Sequence, residues 1–266
     1  MNNSGWLIQM YGAARKGTLE TFKRILEDNP SLDVNWRHPS SQPHGDQTFL
    51  HIASHQDNPA IVRLLLAHPR IDVNPKDDHG WTPFFTACNE NSLASLKLLL
   101  EDPRTKINEL SHDGFSPLVV LSAGHNVFVS QWIIASGRDL DFGQEGDMET
   151  DPEVAARVFN SPRVEALWLK FKKNPELTRY EVRLGFEIPE ALAAGVFLLV
   201  VLLCDGLLRA KETTGADQVN MKRFFAIAQR LPMELQMVLC LRLHGSTRTN
   251  IPGKDFSSAL IMSRIK

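Results

Sequence analysis

The histidines and cysteines of this 266-residue chain are its clearest chemical resources, and their spacing limits what they can do. His51 and His55 stand at i, i+4 on a predicted helix, a spacing that presents two metal ligands on one face. No carboxylate or cysteine joins them at ligand spacing, so no metal site is expected. Cys88, Cys204 and Cys240 are widely separated and form no Cys-x-x-Cys, which points to free thiols in a reducing compartment. The chain has no Gly-rich phosphate loop, no Gly-x-Ser-x-Gly elbow and no His-Glu-x-x-His. Beyond residue 172 His244 is the only histidine, and no paired carboxylates accompany it. The expectation is a protein without catalysis and without a cofactor.

The elements that carry these residues are organised around one stretch, Gly80-Trp-Thr-Pro-Phe-Phe-Thr-Ala-Cys through Leu98-Leu-Leu to Ile107-Asn108. Thr82 suits a helix cap, and Pro83 suits the first helical position, where no amide donor is needed. A second helix is predicted over Leu93 to Leu100, with Leu93, Leu96 and Leu100 at i, i+3, i+7. Asp102-Pro103 ends it, because the residue before a proline is pushed out of helical geometry. The unit recurs. Thr48-Phe-Leu-His-Ile-Ala53 lies 34 residues ahead of Thr82, and Ser116-Pro-Leu-Val-Val-Leu121 lies 34 behind it. The closing pair recurs as Val34-Asn35, Val73-Asn74 and Ile107-Asn108. This period with its Thr-Pro-Leu-His-x-Ala core resembles the ankyrin repeat. The resemblance implies binding of proteins through finger loops and a concave helix face, with no chemistry. It also implies that His51, the histidine of the core motif, serves turn hydrogen bonding.

The predicted fold class is all-α, an ankyrin-repeat solenoid followed by a C-terminal helical bundle, with domains 1–172 and 173–266. Residues 6–35 read as a degenerate first repeat through Ala13-Ala14, Gly17, Phe22 and Ile25-Leu26. Five residues are inserted between Asn35 and Asn74, within the Pro- and Ser-rich loop of Trp36 to Gln47. Repeat four runs from Asp113 to Asp141. Residues 150–172 read as a fifth, closing repeat. Ala156, Asn160, Val164 and Leu167 follow Pro152 at the distances at which Ala87, Asn91, Ser95 and Leu98 follow Pro83. In the bundle, Asn174-Pro175 starts a helix that breaks near Gly185, and further helices are predicted from Ile188, over 219–230, from Leu231 and over 255–264. The apolar run Ala191 to Cys204 is 14 residues long, bounded by Glu190 and Asp205, which suits a buried core helix and not a membrane span. Leu231-Pro-Met-Glu-Leu resembles the start of an F-box, which would imply a substrate adaptor of a ubiquitin ligase; a plain core helix is the default.

Residues 1–162 carry a negative net charge and the remainder a positive one, without the basic stripe that nucleic acid requires. The N-terminal residues lack the basic and apolar regions of a secretory leader, and a cytoplasmic location is expected. Partner-binding candidates are Trp36, Arg37, His38, His44, Lys76, His79, Glu109 and His112, in three predicted fingers and expected to be exposed. Trp81 and Phe115 are expected to pack between repeats. Leu66, Asp72 and Val73 place a leucine eight, an acid two and an apolar residue one position ahead of Asn74. That pattern resembles ankyrin asparagines modified by an asparaginyl hydroxylase, so Asn74 is a candidate for hydroxylation.

Overall fold

The computed structural model describes residues 3–39, 45–188, 192–194, 196–198, 231 and 233–244. The chain divides into two compact units, residues 1–169 and 170–266. Every named element among the described residues is a helix, apart from an isolated antiparallel bridge between Arg37 and Thr48. His44 lies outside the described residues.

The first unit is built from helix pairs, and the same cap starts each of the later inner helices with different residues. The inner helices are α1 (Asn3–Lys16), α3 (Phe49–His55), α5 (Pro83–Asn89), α7 (Pro117–Ala123) and α9 (Pro152–Val158). Thr82 Oγ1 accepts from Phe85 N at 3.1 Å, and Ser116 Oγ from Val119 N at 3.2 Å. Asp151 Oδ1 accepts from Glu153 N at 3.0 Å, and Thr48 forms a reciprocal capping box with His51. Each cap satisfies an amide donor that the first turn leaves orphaned. The outer helices are α2 (Leu19–Asp28), α4 (Pro59–Leu66), α6 (Leu93–Glu101), α8 (Val127–Ser136) and α10 (Pro162–Lys173).

Consecutive inner helices pack on one another from α1 to α9, and consecutive outer helices from α2 to α8. Ala53, Ala87 and Ala156 are fully buried at inner contacts, where a small side chain permits close approach. Phe22, Phe49, Phe84 and Phe85 fill the layers around them. Each such ring stabilises the stack by about 1.5–3 kcal/mol relative to exposure. Between the two helices of a pair, Asp57, Asn91, His125 and Asn160 take the left-handed conformation, with φ of 49°, 54°, 57° and 55°. The fifth pair therefore repeats the turn of the third, as the aligned Asn91 and Asn160 require. One position differs from the sequence alignment. Leu167 is only half-buried, and its neighbour Trp168 fills the interior, with Nε1 donating to Ser122 Oγ at 2.8 Å. The larger ring buries more apolar area, and its N–H finds an acceptor there.

In the second unit, α11 (Pro175–Gly185) begins at Asn174, whose Oδ1 accepts from Leu177 N at 3.1 Å. It buries Tyr180 and Val182, and Lys170 pairs with Glu181. Residues 192–194 and 196–198 are helical, with Ala193, Ala194, Phe197 and Leu198 buried. The rest of the 191–204 run, and the helices expected over 219–230 and 255–264, lie outside the described residues. The F-box-like segment opens α12 (Met233–Leu243), in which Cys240 and Leu241 are buried and Gln236 Nε2 donates to Leu231 O at 2.8 Å. No helix among the described residues is long and apolar enough to cross a membrane.

Candidate functional site

The fingers are tight turns built on one plan with interchangeable residues. In the second finger, Asp77 N donates to Trp81 O at 3.0 Å, while Asp77 Oδ1 accepts from His79 N and Trp81 N at 3.0 and 2.9 Å. In the third, Ser111 N donates to Phe115 O at 3.0 Å, and Ser111 Oγ accepts from Phe115 N at 3.1 Å. Gly80, at φ +76°, supplies the left-handed residue. It also lets the fingers touch: a Cβ on Gly80 would stand 2.7 Å from His112 N. That amide donates to His79 O at 2.8 Å, and Asp78 N donates to Gly45 O at 3.3 Å.

Behind the fingers, two side-chain ladders stitch each repeat to the next. Asn35 Nδ2 donates to Arg70 O at 2.8 Å, and its Oδ1 accepts from Asp72 N at 2.8 Å. Asn74 does the same with Arg104 O and Lys106 N at 2.9 and 2.7 Å. Asn108 repeats it with Asp139 O and Asp141 N at 3.0 and 3.2 Å. Arg70, Arg104 and Arg138 follow one another at 34-residue intervals. Each reaches back one repeat: Arg70 to Pro30 O at 2.6 Å, Arg104 to Leu66 O at 2.7 Å, Arg138 to Asp102 O at 3.2 Å. A guanidinium at these carbonyls complements the negative helix ends. The arginine period stands in the sequence, but nothing in the letters shows which carbonyls of the preceding repeat each arginine meets.

A family model described as ankyrin repeats, in three copies, matches residues 10–111. Residues 10–111 are ankyrin repeats. Ankyrin repeats are protein-interaction modules and not catalytic ones. The chain is also similar to a protein described as putative glutaminase 2 from Caenorhabditis elegans, 31% identical over 77 residues. That similarity covers 29% of this chain and 12% of the relative's length. The inner-helix stack runs past the matched ankyrin residues, since α7 and α9 pack as α3 and α5 do.

The candidate binding residues separate into two groups on this frame. Trp36 is half-buried, tilted against Phe49 at 5.8 Å and edge-on to His38 at 5.5 Å; His38 in turn stacks on Tyr11 at 4.0 Å. Arg37 Nη1 donates to Lys76 O at 2.6 Å and to Asp46 O at 3.2 Å. Lys76, also half-buried, donates to Leu110 O at 3.0 Å and pairs with Glu109 at 3.1 Å. Glu109 also meets Lys106 at 3.3 Å, and the hydrogen bond from Lys76, then that from Lys106, holds its carboxyl below the usual range. Arg37 and Lys76 therefore join one finger to the next, Arg37 while exposed, whereas Trp36 packs on Phe49 and His38; Trp36 and Lys76 are half-buried, contrary to the free exposure expected of them. His79 and His112 stand exposed at the tips. Leu110, 42% exposed between them, was missed because a single leucine in a polar turn carries no periodic signal. Trp81 is stacked on Phe85 of its own repeat at 5.1 Å.

His51 is the most perturbed histidine of the frame. It is fully buried, and both ring nitrogens are occupied. Nε2 donates to Trp81 O at 2.9 Å, which leaves Nδ1 to accept from Thr48 N at 3.1 Å. Burial lowers its pKa to about 4 from 6.5, outweighing the Trp81 carbonyl and the Asp77 charge, which both favour the cation. His51 thus acts as a neutral strut between repeats two and three. His55 turns elsewhere, with Nδ1 at 2.7 Å from Gln56 Nε2.

Proposed function

We propose that this protein binds a protein partner through its finger tips and the adjoining concave face, and performs no chemistry there. The observation that carries the reading is the division of labour among the finger residues. Arg37, Lys76 and the three closing asparagines hold the hairpins in place without a partner, as does the His112 ring, 3.2 Å from Asp78 O, while His79 and Leu110 project from them. A surface ordered before binding loses little conformational entropy on association. Trp36, His38 and Glu109 are the remaining binding candidates; His44 belongs to the same finger as Trp36 and His38 by sequence. Buried free thiols at Cys88 and Cys240 fit a reducing, cytoplasmic setting. Asn74 is taken as a hydroxylation site on its flanking pattern. Co-expression with an asparaginyl hydroxylase should add oxygen at Asn74 alone, and equal modification of Asn35 and Asn108 would remove that assignment.

The test of the binding reading uses the tips and spares the struts. A partner captured by the intact protein and purified should bind the His79→Ala/Leu110→Ser variant at least ~10-fold more weakly, the loss of about 1.4 kcal/mol. Unchanged affinity in a variant with an unchanged melting temperature would move the site off the fingers.

A further inference from the structure

The turns that join inner to outer helices are tied down by side chains in repeats two to five. Asp57 Oδ1 accepts from Ser95 N at 2.8 Å, which caps α6 from the preceding repeat. At the next position of each turn, Asn58 Nδ2 donates to Ala14 O at 2.7 Å and Ser92 Oγ to His55 O at 3.3 Å. Ser161 Oγ donates to Ser122 O at 3.1 Å, with His125 Nδ1 against the same hydroxyl. Asn126 turns forward instead, its Oδ1 accepting from Val129 N at 3.0 Å. Thr18 holds this position in the first turn, after Gly17 at φ +70°, and it differs from the others. Its side chain makes no hydrogen bond among the described residues. Ser92 and Ser161 are buried, whereas Thr18 is exposed.

Arg15 and Lys16, both exposed, stand three and two positions ahead of that hydroxyl, and the apolar Leu19 follows it. Nowhere else in the sequence do two adjacent basic residues stand three and two positions ahead of a serine or threonine. Protein kinases select substrates by charge patterns of this kind, reading cations with an acidic cleft beside the acceptor position. We propose that Thr18 is a phosphorylation site for a kinase that reads basic residues, with Arg15 and Lys16 as the recognition pair. Thr18 Oγ1 attacks the γ-phosphorus of Mg-ATP. The Oγ1–P bond forms as the bond from that phosphorus to the β,γ-bridging oxygen breaks, ADP leaves, and the hydroxyl proton passes to the kinase's catalytic carboxylate. A kinase cleft takes an extended segment, so the last turn of α1 opens locally to present the pair. The Asn58 amide at Ala14 O is one hold on that turn. The phosphate on Thr18 then has Arg15 and Lys16 ahead of it and Glu20 beyond it, two cations against one carboxylate.

The test incubates the intact protein with Mg-ATP and the catalytic subunit of cAMP-dependent protein kinase, a basic-directed enzyme, and maps phosphate by mass spectrometry. Near-stoichiometric phosphate is expected on Thr18 of the folded protein. Arg15→Gln/Lys16→Gln, a change at two exposed positions, should slow modification of Thr18 at least ~10-fold, the scale of one lost charge-assisted contact. Asn58→Ala, with native circular dichroism confirmed, should speed it by freeing the end of α1. No phosphate on Thr18, or phosphate there only after the protein is heat-unfolded, overturns the site. An undiminished rate in the double glutamine variant overturns the recognition pair. A rate in Asn58→Ala no faster than that of the intact protein overturns the local opening.

Discussion

Acidification from pH 7.5 to 5 should unlatch repeats two and three through His51. The folded protein holds this imidazole neutral with a pKa of about 4, whereas the unfolded chain protonates it near 6.5. Between those values the unfolded state binds more protons, so stability rises with pH and is lost as pH falls through 6.5. The loss reaches about 2 kcal/mol at pH 5 and levels off near 3 kcal/mol below pH 4. Full burial of the ring leaves no solvent screening to reduce this. Urea unfolding of the intact protein and of His51→Gln, followed by circular dichroism at pH 7.5, 6.5, 5.5 and 5.0, isolates the contribution. The glutamine amide of that variant does not titrate, so every other group cancels in the difference between the two proteins. The variant should be less stable at pH 7.5, and the gap should narrow by about 2 kcal/mol by pH 5. A gap independent of pH would show that His51 binds protons equally in the folded and unfolded states, and would refute the neutral strut.

Three further outcomes follow from the packing. Ala87→Asp places an unpaired charge at a fully buried inner contact and should cost about 3 kcal/mol or more, read as a lower thermal midpoint that spreads to repeats two and four. Gly80→Ala meets the His112 backbone and an unfavourable φ of +76°, and should cost about 1–3 kcal/mol by urea titration; an unchanged midpoint would refute the close approach of the fingers. Asn74→Ala removes two hydrogen bonds between repeats two and three, so it should cost about 1–3 kcal/mol and speed hydrogen exchange at Lys106, whose amide it releases.

The repeat register was legible in the sequence because its determinants are local. A Thr or Ser before proline, a glycine shortly ahead of it, and leucines at helical spacing each act within one turn of the chain. That is why the helix starting at Pro83, the stop at Asp102 and the alignment of Asn91 with Asn160 could be read without coordinates. The candidate site was only partly legible. Arg37 and Lys76 look like solvated charges until the fold brings the Lys76 carbonyl to the guanidinium, 39 residues along the chain. The choice of Trp168 over Leu167 for the interior depended on Ser122 lying opposite, and no periodicity encodes an acceptor 46 residues away. Asp57 and His125 occupy the same turn and look equally solvated as letters. Only tertiary structure shows one capping the next helix and the other leaving it uncapped, because satisfaction of an amide depends on where a neighbouring repeat places its side chains.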